Sequence, residues 1–313
     1  SLLILLFILS LGCVLRLYKL DSESLWSDEI HVVIHTHYVQ IRNIGDLVMR
    51  AAIQQQPPLY FVFQYYFQKY VGDSDFWVRF PAAMYGIIGI ISVYLLARLL
   101  FGQKEALISA FLLSISVFHI QHSQEVRPYS LATLLFPLCI YFFWQVLFKD
   151  RMRYWFFFII FTLLATYTHS FILLFVFIQL FFSIFILFLN KIYPNEKFAV
   201  ITSKKVSKII LYNVFVIILF IPEIQVLIKY GSGYLTTYKQ PLFLRLVSGV
   251  THFPVDWFNR IYLTFGGTIP FFYQSCVLPP GLRNVWQSYG SFSSFIYLFF
   301  AFFGLYFLLM RKD

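Results

Sequence analysis

The sequence predicts an all-α, polytopic membrane protein, on three observations. Of 313 residues, 60% are hydrophobic, 22% are aromatic and only 12% are charged, an apolar share far above that of an ordinary soluble domain. Apolar runs recur along the chain, each near the roughly 20 residues that carry a helix across a bilayer core, where only bonding within the segment satisfies the backbone. Basic residues collect in short loops between those runs, as membrane topology requires. A β-barrel would instead show short segments of alternating polarity.

In chain order, spans are expected at about 2–17, 80–101, 104–120, 129–148, 154–170, 171–190, 207–224 and 292–310. The first run, Leu2 to Leu17, is slightly short, so its helix is expected to begin before the sequence does. A secretory-signal reading of this run, with "LSLGC" as a lipoprotein cleavage box, fails. It lacks a basic n-region, Ser10 fits poorly three positions before Cys13, and the later spans already demand an integral membrane context.

Orientation follows from the loops. "LFGQKEA", "KDRMR", "NKIYPNEKFAVITSKKVSK" and "MRKD" are basic and alternate with loops that are not, which places the basic set in the cytoplasm. With Arg98, that side holds twelve basic and four acidic residues, against twelve and ten outside. The net charge of +10 is therefore spread over loops, with no compact basic domain to suggest nucleic acid. Cys13, Cys139 and Cys276 are odd in number and imply neither a disulfide framework nor a Cys-based metal site.

The outside then carries a first loop, 18–79, a short second loop, "QHSQEVRPYS", and a last loop, 225–291. Within the last, residues 260–278 are apolar enough to span, but Gly266, Gly267 and Pro270 suit a re-entrant or interfacial segment better. In the first loop, "SDEIHVVIHTHYVQIRNI" reads as an amphipathic helix with Ser27 as N-cap and Asp28 and Glu29 in its first turn. Such acids also stabilise a helix simply by opposing its dipole. A second helix is expected from "QQQPPLYFVFQYYFQKY", with Pro58 at its first position and a Tyr, Phe and Gln content that suits the membrane interface.

The order "LWSDE", "QPPLYF", "WVRFPAAMYGIIGIISVYLLARLLFG" and "ISVFHIQHSQEVRPYSL" resembles the bacterial membrane glycosyltransferases of family 39. These are relatives of the protein O-mannosyltransferases and of the lipid A aminoarabinose transferase. The resemblance covers residues 14 to 140 closely and the remaining spans loosely. It implies a GT-C-type transmembrane helix bundle with amphipathic helices in a long first outer loop. The whole of 1–313 is then one catalytic module, truncated at both ends.

The function that the resemblance implies is inverting transfer of a sugar from a polyprenyl-phosphate donor to an unidentified acceptor, at the outer face of a plasma (inner) membrane. An acceptor hydroxyl needs a carboxylate to take its proton. By position in the motif, Asp28 is the expected base and Glu29 its support. The leaving phosphate calls for fixed donors, for which Arg16, Lys19 and Arg127 are the candidates, with Arg79 of the same type. Headgroup snorkelling is the alternative for Lys19. Gln56, before the Pro pair, stands where many relatives carry a basic residue or His, and a neutral amide contributes hydrogen bonds but no charge. Glu125 is expected to position substrate or to pair with Arg127, and His122 and Gln124 to donate hydrogen bonds beside it.

Asp28, His31 and His35 follow i, i+3, i+7 spacing along one helix face, which makes His31 and His35 the candidate ligands of a divalent metal. Four ligands normally need a second element, so polar-face histidines near a cavity are the competing reading. The rival function is a transporter or lipid flippase. Such proteins place ionisable residues near the bilayer midplane, whereas the middle of each predicted span holds no Asp, Glu, Lys or Arg.

Overall fold

The computed structural model describes residues 2–170, 172–192 and 202–231, all within one compact unit. Among these residues the regular elements are all helical. They are α1 (Leu2–Leu17), α2 (Ser27–Thr36), α3 (Ile44–Ile53), α4 (Leu59–Tyr70), α5 (Asp75–Leu100), α6 (Gln103–Ile115), α7 (Val117–Ser123), α8 (Tyr129–Phe148), α9 (Met152–Thr166), α10 (Ile172–Ile192) and α11 (Ser203–Gly231), with a 3-10 turn at Tyr38–Gln40.

Among the described residues, three helices are long and apolar enough to cross a membrane alone: α5, α8 and α11 over Ser203–Leu227. α6 and α7 meet these criteria only as a pair, bent by 62°. The sequence reads 104–120 as one straight span; the break comes at Ser116, whose backbone turns extended and whose hydroxyl accepts the His119 N–H. A hydroxyl that satisfies the new helix's free N–H groups makes a restart as favourable as continuation. α1, α9 and the apolar part of α10 are shorter than a full span. The expected span 292–310 and the segment 260–278 lie outside the described residues, and residues 225–231, expected to open the last loop, continue α11.

The first loop also departs from expectation. One helix was expected over 27–44, but it ends at Thr36, and α3 forms separately behind an Asn43 cap whose side chain accepts from Asp46 N. The cap of α2 is Trp26 in place of Ser27, and the free N–H of Trp26 is taken by Glu29 Oε2 at 3.2 Å. α4 begins one residue after Pro58, near the expected place.

Among the described residues, two clusters of buried side chains join the helices that frame the site. Ile8, Ile90, Tyr94, Ala97, Ala106 and Ala110 join α1, α5 and α6. Val32, Leu47, Tyr60, Phe61, Val78, Val126, Leu131 and Ala165 fasten α2–α4 onto α5, α8 and α9. Close helix approach depends on Gly86 of α5, where an added Cβ would collide with Ser123 of α7. The second core holds the loop residues of the first 80 positions against one end of the bundle, and the polar groups gathered there form the site.

Candidate active site

Helix α2 presents consecutive carboxylates about 100° apart, and the two meet different surroundings. Glu29 points inward and is 1% exposed. Its carboxylate takes Arg79 Nε at 2.9 Å and Arg79 Nη2 at 2.7 Å, together with the backbone N–H of Val126 at 2.9 Å. Arg79 completes its fork on the carbonyls of Leu20, Glu23 and Ser24. The pair is thus a hub joining both ends of the first loop to the second. A buried pair of this kind is tolerated because hydrogen bonds fill the remaining positions.

Asp28 points outward. Its side chain is 43% exposed, and its Oδ2 lies 3.2 Å from Arg127 Nη2. The chain therefore pairs residues 28 and 29 with residues 127 and 126. Glu29 holds the Val126 N–H, and that bond sets Arg127 opposite Asp28. Arg127 is only 13% exposed, its Nη2 reaches Tyr129 OH at 3.4 Å, and its guanidinium lies over the Tyr129 ring at 5.6 Å. Its Nε is buried without a hydrogen-bond partner.

Aromatic and imidazole rings wall this pair. Tyr129 meets His122 at 5.0 Å and His169 at 6.2 Å between centroids. His122 Nδ1 and Glu125 Oε2 are 2.9 Å apart, and Gln121 donates to Glu125 Oε1. His169 lies in the loop between α9 and α10, outside the spans. Burial and the Arg127 charge push its imidazole down to about 4. Tyr60, fully buried in α4, has a hydroxyl without a partner. Burial raises its phenol far above the usual range, with Tyr85 and Glu29 adding to the effect and Arg127 opposing it.

The remaining predicted residues divide. Lys19 is exposed, adopts a left-handed φ of 51° and lies over the Tyr18 ring. Gln56 sits before α4 with a buried amide oxygen that has no partner. Arg16 departs from its expected role. It is fully buried, donates to the carbonyls of Gly12, Leu113 and Ser114, and contacts His119 Nδ1 at 2.6 Å. It clamps α1 to the α6–α7 break through Nη1 and Nη2, while its buried Nε has no hydrogen-bond partner. Gln124 departs likewise, since its amide caps α1 at the carbonyls of Leu15, Arg16 and Tyr18. Glu125 pairs with His122 in place of Arg127. His31 and His35 stack at 6.5 Å, and among the described residues no group of three or more His, Cys, Asp or Glu is placed to hold a metal.

This arrangement of an accessible carboxylate against a ring-walled guanidinium can be set beside known proteins. Residues 55–225, more than half of the chain, match the dolichyl-phosphate-mannose-protein mannosyltransferase family. The chain belongs to this family. No curated protein matches it. Among solved structures, it resembles the archaeal oligosaccharyltransferase AglB from Archaeoglobus fulgidus, determined in complex with an inhibitory peptide and a dolichol-phosphate. The TM-score is 0.54 at 14% identity, over 98% of this chain and 37% of that one. This mannosyltransferase-family chain therefore has the helical architecture of the GT-C membrane enzymes and spans little more than a third of that relative.

The family match begins at Gln55 and so omits Asp28 and Glu29. What ties those acids to the matched part is geometric: Arg79, Val126 and Arg127 all lie inside it. The Glu29–Arg79 pairing, the Tyr129 platform and Tyr60 were not assigned from sequence. Tyr60 and Tyr129 stand inside the motifs "PPLYF" and "VRPYS", which was the available signal.

Proposed function

We propose that the chain is the catalytic module of an inverting membrane glycosyltransferase. It moves one sugar from a polyprenyl-phosphate donor to an acceptor hydroxyl at the outer face of the membrane. The carrying observation is the Asp28–Arg127 pair, accessible on the Asp28 side and fixed from below by Glu29.

Asp28 takes the proton of the acceptor hydroxyl as its oxygen attacks the anomeric carbon from the face opposite the phosphate. The bond from that carbon to the phosphate oxygen breaks, and the negative charge leaves on the lipid phosphate. Arg127 meets that charge. Its unpartnered Nε and its Nη2 form a fork suited to phosphate. Because Asp28 occupies Nη2 in this structure, phosphate binding exchanges one anion for another and frees Asp28 for the acceptor. Lys19 and Gln56 are secondary phosphate contacts, and Glu125 fixes His122 beside the acceptor path.

Mannosyl phosphate is the first donor to test, in view of the family. No step is assigned to His31, His35 or a divalent metal, and activity that disappears on chelation would correct that. The deciding experiment uses a strain deleted for the gene, with glycoconjugates profiled by mass spectrometry. Wild type is expected to restore one glycosylated species, and Asp28→Asn to leave it absent; restoration by the variant would overturn the proposal.

A further inference from the structure

α8 runs 20 residues from Tyr129 to Phe148, about 30 Å at the helical rise, so the α8–α9 loop lies at the end of the bundle remote from Arg127. There it meets the first turns of α11. Trp155, 3% exposed, donates from Nε1 to Asp150 Oδ1 at 2.8 Å, and Lys208 Nζ lies 3.9 Å from the same oxygen. Lys208 also sits over the Trp155 ring at 5.7 Å, and that ring meets Tyr212 at 5.2 Å. The buried Lys205 directs its Nζ to the Leu147 carbonyl near the end of α8, at 3.5 Å.

These contacts gather Lys149, Arg151, Arg153, Lys204, Lys205 and Lys208 from two separate segments, with Asp150 the one acid within residues 149–153 and 204–208. Its oxygen is already taken by Trp155 and Lys208. Lys149, Arg151, Arg153 and Lys204 remain exposed. Topology accounts for the sign of these loops, but not for their convergence around two neighbouring rings, Lys208 over Trp155 and Lys149 and Arg153 over Tyr154.

We propose that this surface docks the phosphate headgroups of anionic phospholipids in the adjoining leaflet. Clusters of four to eight cations just outside a spanning helix attract such lipids, and two of these cations are arginines able to fork a phosphate. A lipid is favoured over a soluble anion because exposed apolar side chains lead away from the cluster along both helices. On α9 these are Phe156 and Phe157, and on α11 Leu211, Val214 and Phe215, surfaces that acyl chains would cover.

The test is thermal unfolding of the full chain in detergent with added phosphatidylglycerol, phosphatidylcholine or soluble glycerol phosphate. Phosphatidylglycerol is expected to raise the midpoint by several degrees and the other two to leave it in place. The triple variant Arg151→Gln, Arg153→Gln, Lys204→Gln should keep the midpoint of the lipid-free protein and lose most of the gain. Equal gains from phosphatidylcholine or glycerol phosphate, or an undiminished gain in the variant, would overturn the proposal. Should the triple variant not fold, native mass spectrometry of the single variants decides: fewer retained phosphatidylglycerol molecules support the surface, and an unchanged number overturns it.

Discussion

Asp28 and Glu29 are neighbours, both acidic and both paired with arginine, yet they live in opposite environments. Glu29 is buried and fully engaged with Arg79 and the Val126 N–H; Asp28 is 43% exposed and holds Arg127 through one contact. A carboxylate whose oxygens are occupied has little capacity left for a substrate proton, whereas an accessible one beside a replaceable partner retains it. In the proposed mechanism the inner pair therefore builds the site, and the outer pair is the part that reacts.

The sharpest way to separate them is to neutralise each acid in turn. Asp28→Asn should lower sugar transfer by about 100-fold or more, the usual range for losing a general base, while the unfolding midpoint stays near wild type because the side chain is accessible. Glu29→Gln should do the reverse first. Removing one member of a buried pair costs roughly 3–5 kcal/mol, so unfolding should shift strongly, with activity lost as a consequence. A stable, inactive Glu29→Gln protein beside a destabilised Asp28→Asn protein would exchange the two roles.

The helix-rich membrane architecture was legible in the sequence because lipid forces the backbone to bond within each segment, and that requirement marks α5 and α8 by length and hydropathy alone. Asp28 and Arg127 were legible as motif members. Their division of labour from Glu29 and Arg79 was not, because Arg79 is 50 positions from Glu29 and no local spacing announces the pair. Arg16 misled for a related reason. At the end of an apolar run it looks like a headgroup residue, and only the 62° break at Ser116 shows why a guanidinium is wanted there. The break ends α6 with the Leu113 and Ser114 carbonyls facing Arg16, which bonds both, Leu113 also accepting the Ser116 N–H.

Arg127 and Arg16 extend the comparison, one arginine facing a replaceable anion and the other backbone. Arg127→Lys keeps the charge but loses the fork. It is expected to weaken donor use by about 10-fold, one tenfold step corresponding to about 1.4 kcal/mol, as a higher KM for donor with little change in unfolding. Arg16→Lys should leave the donor KM unchanged and lower stability. A donor-specific defect in the Arg16 variant would return it to the phosphate site.

The effect confined to acid pH concerns His169, which reports on the open pair from the side. Its imidazole titrates at about 4, against about 6.5 for a free histidine. Between those values the unfolded chain binds a proton that the folded chain refuses, so stability rises with pH across this window and is fully present above about 6.5. At about 1.36 kcal/mol per unit, the ceiling over the whole window is about 3 kcal/mol. His169→Gln should remove this part of the slope between pH 6.5 and 5, read as the pH dependence of the unfolding midpoint. Arg127→Gln should reduce it without removing it, because burial is the larger cause and the Arg127 charge the lesser. An unchanged slope in the Arg127 variant would mean that His169 does not sense the guanidinium, and the ring wall around Asp28 and Arg127 would then be less closely joined than the 6.2 Å contact between Tyr129 and His169 implies.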